Sequence, residues 1–250
     1  MQNIRRSLIH DPKVHIFYIL LLIWVFAVIQ NPGWKNIVFP IFSITLFSIL
    51  DLVFHYLRSK KLYIPFSSLV SGLLIGLIIH PSSGIIAIIL AVIFGFASKQ
   101  YIKYKNRHVF NPAAFGILVS SMILGFPVSW WAVAGGGIFI LLTIISGFVL
   151  WKLRRIHMPI SFLVGYFAFL AVSLGIKSAT SLSIDGTVFF FAFIMLTEPM
   201  TSSISGFWKR TFGFVVLSGI IVSYLMKISF ADPLLLSLLI ANLSVKIINK

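Results

Sequence analysis

The chain is a succession of apolar runs, each too continuous to alternate, separated by short connections that carry most of its charge. Ile16 to Ile29 and Ile138 to Ile145 contain no charged residue at all. In hydrocarbon every backbone N–H and C=O needs an internal partner, which leaves helices or closed barrels, and unbroken apolar runs select helices over alternating strands. The chain is 59% hydrophobic and only 10% charged, with a mean hydropathy of +1.06. A soluble domain carries about 25% charged residues, so the excess apolar surface calls for lipid as solvent.

Ten spans are predicted, over about 14–30, 36–57, 64–79, 84–98, 111–126, 131–151, 159–175, 187–199, 211–227 and 233–248. With the N-terminus inside, 17 of the 20 basic residues fall in inner connections or at the termini, and only Lys35, Lys177 and Lys227 fall outside. Miscounting one span would mix these sets, so the positive-inside rule predicts both termini in the cytoplasm. The first basic stretch, Arg5, Arg6 and Lys13, precedes an apolar run with no small-residue cleavage site, which reads as a retained first span. Trp34, Trp130, Trp131, Trp151 and Trp208 fall at span ends, where interfacial anchors belong.

The expected fold class is therefore an all-α membrane protein forming one polytopic domain over residues 1–250. A weak internal repeat divides it into halves of about 14–126 and 131–248. His80-Pro81 closes the third span and Glu198-Pro199 the eighth; Asn111-Pro112 opens the fifth and Asp232-Pro233 the tenth. Five spans per half gives the halves opposite orientation, and paired short third and eighth helices mark a central site in inverted-repeat folds. The other reading of these prolines is that they simply stop helices at the interface.

The net charge of +15 is spread through short loops rather than gathered in a basic domain, so no nucleic-acid partner is expected. The absence of cysteine excludes disulfides and thiolate metal sites, and no nucleophilic triad, phosphate loop or metal constellation stands in the sequence. Gly135-Gly136-Gly137 suggests close helix packing.

Five acids remain: Asp11, Asp51, Asp185, Glu198 and Asp232. Asp51 lies inside the second span with His55 one turn on, either as an ion-pathway pair or as a pair snorkelling to the surface. Glu198, beside Thr197, Pro199 and Thr201, is either a polar-ligand or cation site or an interfacial cap. Asn111, Pro112 and Ala113 form a standard helix start whose free N–H groups can also hold a ligand. Topology puts both elements on the inner side, where they can frame one pocket.

Several segments, in order, resemble the RnfD/NqrB family, the membrane subunits of the Rnf and sodium-translocating NADH:quinone reductase electron-transport complexes. They are Ser71-Gly72-Leu73-Leu74 through His80-Pro81, Ser98-Lys99-Gln100 with Phe110-Asn111-Pro112-Ala113, and Met158-Pro159-Ile160-Ser161-Phe162-Leu163. Phe193 through Thr201 (FIMLTEPMT) and Leu239-Ile240-Ala241-Asn242 complete the set. The resemblance covers most of the chain. It implies a five-plus-five arrangement in the inner (cytoplasmic) membrane and a part in flavin-mediated electron transfer coupled to Na⁺ or H⁺ movement.

The chain alone would be a subunit of an oxidoreductase or translocase rather than a complete catalyst. Its implied partners are other membrane subunits or a flavoprotein reductase. The long outer segment that carries covalent FMN in typical members is missing between Phe126-Pro127 and Trp130-Trp131, and Ser178-Ala179-Thr180 stands in the wrong loop. Covalent FMN is therefore not expected. A non-covalent flavin, riboflavin or FMN, is implied near the cytoplasmic side, with Asn111, Pro112, Ala113, Thr197, Glu198, Pro199 and Thr201 as candidates to hold it. Asp51, His55 and Glu198 are the candidates for an ion pathway. Two other functions fit the same pattern: a small-solute transporter or channel without redox chemistry, and a membrane anchor for a soluble flavoprotein.

Overall fold

A computed structural model describes residues 12–60, 63–105, 107–134, 137–198, 201 and 206–248. The described residues are mostly helical. The α-helices are α1 (Pro12–Gln30), α2 (Trp34–Ser59), α3 (Phe66–Ile78), α4 (Ile85–Tyr101), α5 (Pro112–Leu124) and α6 (Gly137–Lys152). They continue as α7 (His157–Leu174), α8 (Ile176–Ser183), α9 (Gly186–Phe190), α10 (Gly206–Leu225) and α11 (Pro233–Ile248). A 3₁₀ turn, Pro81–Ser83, follows α3, and a π-helical turn, Phe191–Met195, continues α9. Between α4 and α5 two short strands, β1 (Lys103–Tyr104) and β2 (Arg107–His108), pair antiparallel.

Three helices are long and apolar enough to cross a membrane: α1 from Lys13, α2 and α7. Their outer faces are apolar. Tyr18, Leu22, Val25 and Ile29 make an exposed stripe along α1 at helical spacing. Water would penalise a surface of this kind, and lipid does not. The chain is by this measure a membrane protein.

Two short segments are enclosed by the other helices. Nine residues of α3 are buried, and so are all five of the π-turn. A segment enclosed by other helices need not match the bilayer thickness, which allows α3 to be only 13 residues long. Helix α1 packs on α3 and α6, α2 on α3 and α4, and α4 on α5; further on, α7 packs on α10, α10 on α11, and α11 on α5.

Helices α4 and α5 approach closely at Gly116. A Cβ there would stand 2.0 Å from the carbonyl oxygen of Ala91, so only glycine allows this crossing.

Four expectations are corrected. Residues 131–134, expected in the sixth span, form a turn that folds back on α3, and the helix begins at Gly137. There Trp130 N–H donates to the Ile78 carbonyl (3.0 Å) and Ala132 N–H to that of Leu77 (3.3 Å), satisfying carbonyls at the end of α3. Trp130 and Trp131 are consequently buried rather than interfacial. Their indoles donate to Asp232 Oδ2 (3.1 Å) and the Gly76 carbonyl (2.9 Å), whereas Trp34 and Trp151 are exposed as anchors should be. The side chain of Trp208 lies outside the described ones.

Close packing at the glycine run fails at Gly137, where a Cβ would meet nothing within 4 Å; Gly135 and Gly136 lie outside the described residues. Finally, the eighth span is preceded by α8, with a 60° bend between α8 and the α9–π segment. Ala179 and Ser183, one turn apart, give α8 a single buried edge. Its Lys177, Ser178, Thr180 and Ser181 hide it from a search for long apolar runs.

Candidate functional site

Two polar clusters flank the first turn of α3, one on each side of the adjacent pair Ser67 and Ser68.

On the Ser68 side stands Asp51, from the C-terminal half of α2. Its Oδ2 receives Lys99 Nζ at 3.0 Å and Ser68 Oγ at 2.7 Å, together with the Tyr63 hydroxyl; its Oδ1 receives Gln100 Nε2 at 2.7 Å. Lys99 Nζ also donates to Ser68 Oγ at 2.7 Å. The Asp51 side chain is 2% exposed and that of Lys99 12%. Four partners thus hold one buried carboxylate, which is what an ion pair away from water requires. Burial, and then the bond to Asp51, raise the Tyr63 phenol above its usual value, so it stays a donor. His55 does not reach Asp51 by any described bond. Its ring packs on Tyr63 with centroids 4.4 Å apart.

On the Ser67 side, a narrow cleft of about 30 Å³ is lined by Lys13, Ser67, Ser71, Asn111, Ile194 and Glu198, among others. Asn111 and Glu198, predicted to share a pocket from opposite parts of the sequence, therefore do share one. Glu198 Oε1 lies 3.3 Å from His108 Nε2 on β2, and its Oε2 accepts from Thr201 Oγ1 at 3.2 Å. The short hairpin is what brings His108 to this carboxylate. Asn111 caps α5, its Oδ1 accepting from Ala114 N–H at 3.1 Å.

The remaining candidates divide. Thr197 is buried but turned away, its hydroxyl donating to the Phe193 carbonyl at 2.7 Å one turn back. Its carbonyl instead accepts from Arg155 Nη1 at 3.4 Å, and burial lowers the Arg155 guanidinium below its usual value. Pro112 and Ala113 are buried and line no part of the cleft. Pro112 lies against α4, where a Cβ on Gly95 would stand 2.6 Å from its carbonyl oxygen. Pro199 lies outside the described residues.

Sequence reasoning missed Lys13, Ser67, Ser71, His108, Lys99 and Gln100. For Ser71, Lys99 and Gln100 a signal existed, since they lie in the family-like segments, yet the partner of Lys99 and Gln100 is far away along the chain.

At the other end of α3, Asp232 caps α11, accepting from Leu235 N–H at 2.9 Å as well as from Trp130. Burial raises its carboxyl above the usual carboxylate range. A separate hollow of about 450 Å³ there is lined by Asp232, Ser121 and Ser229, among others.

A flavin can be tested against this geometry. The cleft supplies an amide, a carboxylate, an ammonium and hydroxyls, which match the hydrogen-bonding edge of the ring. The volume does not match: about 30 Å³ admits water, while sites for drug-sized ligands run to roughly 300–1,000 Å³. The described conformation does not hold a flavin ring. No family model matches the chain, and no curated protein matches it.

Proposed function

We propose that this chain is a ten-span membrane subunit of an electron-transport complex of the RnfD/NqrB type, working in the cytoplasmic membrane with both termini inside. The observation that carries this reading is the meeting of Asn111 and Glu198, from two separate motifs of the resemblance, on one buried cleft. The Asp51–Lys99 pair, whose Lys99 belongs to the family-like Ser98-Lys99-Gln100 segment, lies on the other face of the same turn.

An inverted five-plus-five arrangement is supported by paired detail. Asn111 caps α5 through Ala114 N–H as Asp232 caps α11 through Leu235 N–H, each with proline next. Gly116 touches α4 as Ser237, at the equivalent place on α11, touches Gly219 on α10. The two caps lie at opposite ends of α3, as halves of opposite orientation require.

In this role the chain's residues hold and partition charge. Glu198 is fixed between His108 and Thr201 at the edge of the cleft, and Asp51 is fixed by four donors beside it. Glu198, facing the cleft, offers a station to a proton or small cation, while Asp51 holds Lys99 in place. Flavin, where bound, would supply the electron-carrying chemistry, and the cleft would have to widen to admit its ring.

A second reading, an ion conduit without redox chemistry, is favoured by the small volume of the cleft. Mild purification followed by absorption spectroscopy and mass analysis of released cofactor separates the two. Near-stoichiometric non-covalent flavin, lowered in a Glu198→Ala variant that removes a polar partner at the edge of the widened cleft, is the result this reading expects. A colourless protein that drives cation flux into proteoliposomes would overturn the electron-transport reading in favour of the second.

A further inference from the structure

We propose that the cleft between the ends of α2 and α4, outside the Asp51–Lys99 pair, binds the phosphate of an anionic lipid headgroup. This hollow is about 490 Å³ and is lined by Arg58, Lys99, Lys103, Gln100, Tyr63 and Asp51, among others. That is the size of a small-molecule site rather than of a trapped water.

Its charge is one-sided. Asp51 is the one acid in the wall, and both its oxygens are already taken, Oδ2 by Lys99, Ser68 and Tyr63 and Oδ1 by Gln100. Lys99 therefore cancels Asp51, while Arg58 and Lys103 have no carboxylate partner among the described residues. Lys103 is held at the cleft, its Nζ donating to Gln100 Oε1 at 3.1 Å, so the buried pair positions the cation beside it. The outcome is two cations without carboxylate partners facing a polar hollow, a set that suits a phosphate.

The choice of lipid over soluble phosphate rests on what adjoins the hollow. Phe54 on α2 lines the hollow and packs edge-on against Tyr101 on α4, ring centroids 6.1 Å apart, and Tyr101 is 72% exposed. These two rings give the hollow an apolar side next to α2, one of the membrane-length helices. A ligand with a phosphate and acyl chains satisfies both surfaces together; free phosphate satisfies only one. Basic pockets between helices at the cytoplasmic surface have this chemistry.

The test uses full-length protein in nanodiscs of phosphatidylcholine with rising fractions of phosphatidylglycerol, reading bound lipid by native mass spectrometry after release. Wild type is expected to retain phosphatidylglycerol in preference to phosphatidylcholine. Removing both charges with Arg58→Gln/Lys103→Gln should weaken that retention by roughly thirtyfold. The single variants R58Q and K103Q, which leave the Asp51–Lys99 pair whole, should be intermediate and keep the test decisive if the double variant does not fold. Lys152→Gln/Lys177→Gln, which removes the same charge elsewhere, should change nothing. Equal retention of the two lipids, or unaltered phosphatidylglycerol binding in the variants, would overturn the proposal. So would inorganic phosphate displacing phosphatidylglycerol at comparable concentration, because that identifies a soluble ligand.

Discussion

Asp51→Ala is expected to abolish most of the folded, monodisperse protein recovered in detergent, at a cost of about 3–5 kcal/mol. The reason is the partner left behind. Lys99, with a side chain 12% exposed, would lose the carboxylate at 3.0 Å and keep only Ser68 as a described hydrogen-bond partner. Were the pair solvent-exposed, the same change would cost about 0–1 kcal/mol, so the size of the effect decides whether the pair is buried as described. Replacing both members, Asp51→Leu/Lys99→Met, removes the charges together and should restore much of the loss, because matched apolar residues avoid desolvation. Thermal unfolding followed by size-exclusion chromatography reads both variants. A single variant as stable as wild type, or a double variant worse than the single, would contradict the buried pair.

Gly116→Leu should be equally damaging for a different reason. The added Cβ alone would fall 2.0 Å from the Ala91 carbonyl oxygen and 2.9 Å from the Gly95 amide nitrogen. Both neighbours are backbone, so no side chain can move aside and the helices α4 and α5 must part. Overpacking of this kind costs about 1–3 kcal/mol and more where backbone blocks relief. Parting these helices also displaces Asn111 at the start of α5 and Lys99 at the end of α4, so both polar clusters are disturbed at once. Gly116→Ala should already lower the unfolding temperature, with Gly116→Leu lower still. Met122→Leu, on an exposed face of the same helix, should not. An unchanged midpoint for Gly116→Leu would show that α4 and α5 do not cross at this point.

Much of the helical layout is legible in the sequence because apolar runs are long-range signals that lipid enforces. The proline-led starts of α5 and α11 and the shortness of α3 follow directly from it. What escapes depends on contacts between distant residues. Lys99 reads as one more inner-loop cation, and only the packing of α2 on α4 makes it the partner of Asp51. Trp130 and Trp131 carry the signature of interfacial anchors, but the turn that contains them closes the end of α3 and draws both indoles inward. Thr197 draws notice for its hydroxyl, which the helix itself consumes. Ser67 and Ser68 carry no motif; their importance comes from sitting between two clusters that distant helices and a hairpin assemble. The π-turn at Phe191–Met195 likewise has no apolar signature of its own, being as hydrophobic as the helix it continues.

In the proposed arrangement the Asn111–Glu198 cleft and the Asp232 hollow open to opposite sides of a membrane. The chain has no cysteine, so single cysteines report without background. Ser59→Cys, exposed at the end of α2 on the side of the cleft, and Ser229→Cys beside Asp232 should be challenged with a small membrane-impermeant thiosulfonate in sealed vesicles of known orientation. Ser229→Cys is predicted to react in right-side-out vesicles and Ser59→Cys only in inside-out ones. Reaction of both from the same side would contradict the two-sided arrangement.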